Sequence, residues 1–279
     1  MNFIQAIVLG IVQGLTEFLP ISSSAHVQIV SELMNIKGIS DKNSATTAFI
    51  ATIQLGTEAA VLLYFAKDIW RFLSAFFKGI FNSASRKSAD FKMAIYILIG
   101  SIPVGIVGLV FKHFIEETVR TLWVISFTMI IFGIVLFVAD RIGSKTKEIQ
   151  ELNAKRAIGF GIGQMLSVIP GVSRSGASIS FGLLAGFSRA SAARFSFLIG
   201  IPAVLVSGLW EFKDSYKNLD SELMAGTAVA TLTSFIVGYL VIAGLLKYLN
   251  KGSFTPFVIW RILVGLILLG LLTTGVIAA

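Results

Sequence analysis

AIVLGIVQGLTEFLPISSSA (residues 6–25) opens as an apolar helix and then breaks. Pro20 lacks an N–H and collides with a preceding helical turn, so the helix stops before it. Three serines follow, and AHVQIVSELM (25–34) resumes a helical pattern. Neither half is comfortably long enough to cross a hydrocarbon core, which takes about 20 residues of helix. The device recurs in AIGFGIGQMLSVIPGVSRSG (157–176). Without a gap, Ala6, Ile7, Gly10, Ile11, Gln13, Leu15, Ser22 and Ser24 meet Ala157, Ile158, Gly161, Ile162, Gln164, Leu166, Ser173 and Ser175. The prolines miss alignment by one. Both segments, 2–34 and 156–187, read as re-entrant hairpins that enter and leave on one face. Broken backbone at membrane depth is tolerated where protein buries it or where it lines a wet cavity.

Composition sets the solvent. Of 279 residues, 55% are hydrophobic and 14% charged, against about 25% charged in a soluble domain. Stretches 46–66, 94–111, 119–139, 192–209, 223–246 and 254–277 each approach or exceed the length of a span. The expectation is an all-α polytopic membrane protein, a single membrane domain over 1–279. It has about six transmembrane helices plus the two hairpins. With no cysteine, disulfides and thiolate metal sites are excluded. The first apolar run lacks a basic flank and carries Gln13 and Glu17, so it reads as structure and not as a leader.

The net charge of +8 points to membrane topology and anionic headgroups, with no nucleic acid as partner. Lys67, Arg71, Lys78, Arg86, Lys87 and Lys92 fall in a loop at 67–92. Arg141, Lys145, Lys147, Lys155 and Arg156 fall in a loop at 141–156. Two spans separate these loops, which places both on the cytoplasmic side. Trp70, Trp123 and Trp210 fall at span ends and Trp260 near the start of the last, as interfacial anchors do.

Three spans follow each hairpin. An odd number inverts the second half, giving repeat one at about 1–150 and repeat two at about 151–279. The first hairpin then enters from outside and the second from inside. Their turns meet near the midplane, the termini lie outside, and the active site is expected to open to the outer face. Small residues on several spans permit a homodimer.

The turns carry the chemistry. Ser22, Ser23 and Ser24 precede a new helix, where serine is a favoured N-cap. N–H groups at a helix start have no intrahelical partner and, with the helix dipole, attract anions. PGVSRSGAS (170–178) repeats the arrangement. Gly171 and Gly176 allow close backbone approach, Ser173 and Ser175 supply hydroxyls, and Arg174 offers a planar fork for phosphate oxygens. Pyrophosphate fits such a site. Glu17 and His26 add acid–base or nucleophilic capacity, and ionisable groups inside a membrane segment are functional candidates. Gln13 joins the binding set, and Gln54 is expected to face the site from its span. Arg174 also has a structural alternative, as a bridge to Glu17. Arg261 reads as snorkelling or structurally paired, and His113 as solvated.

At QGLTEFLPISSSAH (13–26) and PGVSRSGASISFGLLAGFSRASAARFSFL (170–198) the chain resembles the undecaprenyl pyrophosphate phosphatase family of bacterial membrane enzymes. The resemblance runs over essentially the whole chain. It implies an inverted repeat with re-entrant helices in the cell membrane. It implies hydrolysis of a C55 polyprenyl pyrophosphate to the monophosphate, recycling the carrier for cell-wall synthesis, with bacitracin resistance on overexpression. The family's first motif begins with Glu or Gln, and here it is Gln13, which leaves Glu17 as the one carboxylate of that turn. A divalent cation, Mg²⁺ or Ca²⁺, is implied by the family. Glu17 alone is a poor ligand set, so such an ion is expected to arrive with the substrate phosphates. Ser23 or His26 is the expected nucleophile, with activated water as the alternative. A secondary transporter or flippase for an anionic or lipid-phosphate substrate would use the same broken helices.

Overall fold

The computed structural model describes residues 3–34, 36, 44–111, 121–215 and 221–277. His113 lies outside them. Eleven α-helices are present among the described residues: α1 (Phe3–Phe18), α2 (Ser23–Leu33), α3 (Ser44–Tyr64), α4 (Ala66–Phe81), α5 (Ala89–Val110), α6 (Leu122–Ile142), α7 (Ala154–Met165), α8 (Arg174–Leu184), α9 (Arg189–Ser215), α10 (Ser221–Leu249) and α11 (Thr255–Thr273).

Five helices are long and apolar enough to cross a membrane, and α3 joined to α4 makes a sixth. The protein is a multi-pass membrane protein. The expected spans differ from these helices by a few residues at their ends. The segment at 67–92 is not a loop. The chain bends by 76° after α3 and continues as α4, then as a 3₁₀ turn at Ser83–Lys87. Trp70, Leu73, Phe77, Ile80 and Phe81 of α4 are exposed, while Lys67, Asp68, Arg71 and Lys78 lie between them in sequence. An apolar exposed side interleaved with cations is the signature of a helix lying in the interface plane.

The basic side is tied together by ion pairs. Arg71 meets Asp90 at 2.5 Å, Arg194 pairs with Asp68, and Arg189 meets Asp140 at 2.6 Å. The segment after α6 also docks by backbone, with Lys147 N–H donating to Gly186 O (2.9 Å) and Ser188 N–H to Lys147 O (2.8 Å).

Two pairs of short helices form around the breaks, α1 with α2 and α7 with α8. At 1.5 Å per residue, α1 is about 24 Å long and α2, α7 and α8 about 16–18 Å, all short of a ~30 Å hydrocarbon core. Contacts cross between the halves. Helix α1 packs on α10 and α3 on α10, while α7 packs on α5 and α9 on α5. A Cβ at Gly10 would strike the Ala230 carbonyl on α10, and one at Gly161 the Gly100 carbonyl on α5. Small residues let these backbones meet. Ser234 Oγ on α10 donates to Ile53 O of α3 at 2.7 Å, and Ser101 Oγ on α5 donates to Ile199 O of α9 at 2.8 Å. The first short-helix pair thus packs on a helix late in the chain and the second on a helix early in it.

Candidate functional site

The two turns meet. Ser22 and Ser173, aligned in the sequence, are the N-cap residues of α2 and α8. Both hold positive φ, 75° and 70°, an unfavourable conformation for a residue with a side chain. Their carbonyls accept the first helical bonds, from His26 N–H (3.3 Å) and Ala177 N–H (2.9 Å). Ser22 Oγ lies 3.3 Å from Ser24 Oγ, and Ser173 Oγ 3.3 Å from Ser175 Oγ. The caps then diverge. Ser173 Oγ accepts the Gly176 N–H at 3.1 Å, whereas Ser22 makes no side-chain cap bond. One donor of the second turn is therefore already used.

Glu17 is the hub. Its Oε2 accepts from Gln13 Nε2 at 2.9 Å and from Ser23 Oγ at 2.7 Å. Its Oε1 accepts from Arg174 Nη2 at 2.8 Å. Glu17 is buried and the Arg174 side chain is 17% exposed. A guanidinium from α8 therefore joins a carboxylate from α1 across the hairpins. Ser175 Oγ adds a second link, donating to Leu19 O at 3.2 Å. Ser23 is half-buried and Ser24 exposed, so the cluster opens at the start of α2.

His26 sits apart from this hub. Its Nδ1 lies 2.8 Å from Ser22 O, an acceptor only, so Nδ1 carries the proton. Its Nε2 accepts from Trp260 Nε1–H at 2.7 Å. Both ring nitrogens are engaged, by Ser22 and Trp260. Trp260, read as an interfacial anchor, is a partner of His26.

Arg261 does not snorkel. It is fully buried, because carbonyls satisfy it. Nη1 donates to Pro20 O at 3.1 Å, Nη2 to Gly171 O at 2.9 Å and Val172 O at 3.1 Å, and Nε to Met129 O at 3.2 Å. One cation from α11 clamps both turns. On α6, Thr128 Oγ1 donates to Pro170 O at 2.7 Å, a second hold on the second turn beside Arg261. Gly171 fits here at φ 87°, and a Cβ would overlap Thr128 Oγ1. Gly171→Ala is expected to cost about 1–3 kcal/mol of stability from backbone strain alone, read as a lowered thermal midpoint in detergent.

Gln54 is half-buried on α3. Glu58, one turn further along the same face, reaches the cluster instead, with Oε1 3.4 Å from Arg174 Nη2. The sequence reading missed Glu58. It was visible as the lone charge in the 46–66 stretch, the kind of intramembrane residue that marks a site.

The matched family model, described as bacitracin resistance protein BacA, covers residues 6–267. The chain belongs to this family. It is 47% identical over 278 residues to a protein of Nocardioides sp. named undecaprenyl-diphosphatase, covering all of this chain and 99% of the relative. A protein of the same name from Thermobifida fusca is 45% identical, over 99% of this chain and 92% of the relative. Another from Corynebacterium diphtheriae is 46% identical, over 99% and 96%. The second short-helix pair, the first from residue 6 onward, and the Glu17–Arg174 junction fall inside the matched region of the BacA family.

Proposed function

We propose that the protein is an integral-membrane phosphatase that hydrolyses undecaprenyl pyrophosphate to undecaprenyl phosphate and phosphate. It recycles the lipid carrier for cell-wall synthesis in the bacterial cell membrane and confers bacitracin resistance. The observation that carries this reading is the Ser23–Glu17–Arg174 chain of hydrogen bonds, with distances of 2.7 and 2.8 Å, set between two helix N-termini. The names of the full-length relatives supply the substrate.

In this reading Ser23 Oγ attacks the terminal phosphorus and its proton passes to Glu17 Oε2. The bond from that phosphorus to the bridging oxygen breaks, and undecaprenyl phosphate leaves. Glu17 hands that proton to the departing undecaprenyl phosphate. Water then attacks the phosphoserine and gives its proton to Glu17; the bond from phosphorus to Ser23 Oγ breaks, Glu17 returns the proton to Oγ, and phosphate leaves. Arg174 and the uncapped N–H groups of α2 hold the phosphate charge. His26, bonded to Ser22 O, fixes the strained turn. Gln13 keeps Glu17 in place.

An apolar groove of about 330 Å³, lined by Leu19, Val241, Leu245, Tyr248, Pro256 and Phe257, reaches the first turn and suits the start of the prenyl tail. An opening to the outer face is supported by α2. Its Ala25 clusters with Leu122 and Ile125 at the start of α6, remote from the basic side. The crossed hydrogen bonds support two halves of inverted topology, divided near residue 150.

The residues do not form a cage for a divalent cation. No three His, Asp or Glu side chains converge among the described residues, and both Glu17 oxygens already accept protein donors. Mg²⁺ or Ca²⁺ would be held chiefly by the substrate phosphates, and no step above depends on it.

Phosphate release from a C55 polyprenyl pyrophosphate, in detergent, tests the reading. Ser23→Ala and Glu17→Gln are each expected to lower kcat on the order of 10³-fold or more. Full activity in Ser23→Ala would hand the attack to water. Folded wild-type protein that releases no phosphate would favour a transporter, which the broken helices also suit.

A further inference from the structure

Glu58 belongs to neither sequence motif. It is fully buried on α3, and its Oε2 has no hydrogen-bond partner among the described residues. A buried carboxylate oxygen without a donor is costly, which asks for a reason. The environment of Arg174 supplies one. Nη2 lies between Glu17 Oε1 at 2.8 Å and Glu58 Oε1 at 3.4 Å. Behind it, a Cβ at Gly200 of α9 would overlap Nη1. The guanidinium threads a gap bounded by α1, α3 and α9.

Position 13 is Gln, and it donates to Glu17, so α1 brings one carboxylate to Arg174. The second comes from α3. We infer that Glu58 is a positioning residue of the site, holding Arg174 from α3 in place of a carboxylate that Gln13 does not supply. The inference rests on the phosphatase reading above. Glu17 serves Ser23 as well as Arg174. When it takes the serine proton it becomes a weaker acceptor for the guanidinium. Phosphate oxygens draw Arg174 away at the same moment. Ser23 and Gln13 donate to Glu17 and not to Glu58, so the hold of Glu58 on Arg174 persists through the step. Its free Oε2 leaves an acceptor for Arg174 to engage as Glu17 lets go.

The test moves the carboxylate. Glu58→Gln keeps volume and an acceptor but loses the charge. It is expected to lower kcat/KM about ten-fold, the difference between a charged and a neutral acceptor. Adding Gln13→Glu to Glu58→Gln returns a carboxylate to the cluster from α1 and is expected to recover most of that loss. A merely structural role would not be rescued from another helix. Glu58→Gln within two-fold of wild type overturns the inference, as does a double variant no better than the single one. Affinity for farnesyl methylenediphosphonate, a non-hydrolysable probe, is measured on the same proteins. If wild type releases no phosphate, the phosphatase reading falls and the affinities decide Glu58 alone. Weakened binding restored by Gln13→Glu supports its role, and unchanged binding in Glu58→Gln overturns it.

Discussion

Replacing Arg174 by alanine is expected to lower kcat/KM for phosphate release on the order of 10³-fold or more, the range seen when an arginine that stabilises phosphoryl transfer is lost. Two effects combine. The pyrophosphate loses its planar donor fork, and Glu17 and Glu58 are left facing each other with no cation between them. Two buried carboxylates without a shared counter-charge repel and also repel an anionic substrate. The loss is therefore expected in KM as well as kcat. Arg174→Lys is expected to recover little. A compact ammonium cannot address Glu17, Glu58 and a phosphate oxygen at once. Steady-state kinetics across substrate concentrations reads both constants. Activity within ten-fold of wild type in Arg174→Ala would remove the guanidinium from the transition state.

Arg261→Leu is expected to fail for a different reason. The hydrogen bonds of Arg261 among the described residues go to backbone carbonyls, and they hold Pro20, Gly171 and Val172. These lie in the irregular backbone that helix bonding does not serve. Each buried carbonyl stripped of its donor costs about 1–3 kcal/mol, so the variant is expected to lose at least about 3 kcal/mol of stability. The readout is thermal unfolding in detergent, with a lowered midpoint and poor recovery of folded protein. In contrast, Arg174→Ala is expected to keep its fold, because Arg261, Thr128 and Ser175 still tie the turns together. A normal midpoint in Arg261→Leu would mean that the turns hold their shape without the clamp.

Much of this could be read in the chain. Pro20 and the serines marked the first break, and the repeat of that pattern at Ser173 and Ser175 marked the second. Local rules suffice there, since a missing N–H and an N-cap preference act within one turn. The spans were legible because hydrocarbon selects for unbroken apolar runs. The amphipathic α4 was not legible as a helix. Its cations have the composition of a loop, and only the 3.6-residue spacing of its apolar residues marks it as a helix.

The sequence alone determined the membrane class and the two breaks between short helices, because backbone chemistry and apolar length are local properties. Only tertiary structure decided which polar groups meet. Glu58 lies 116 residues from Arg174, Trp260 lies 234 from His26, and Arg261 lies 241 from Pro20. Each sits in a predominantly apolar helix, with no flanking pattern to announce its partner. In a medium without water, such a group must find its hydrogen bonds within the protein, and the packing of helices distant in sequence determines which ones it finds.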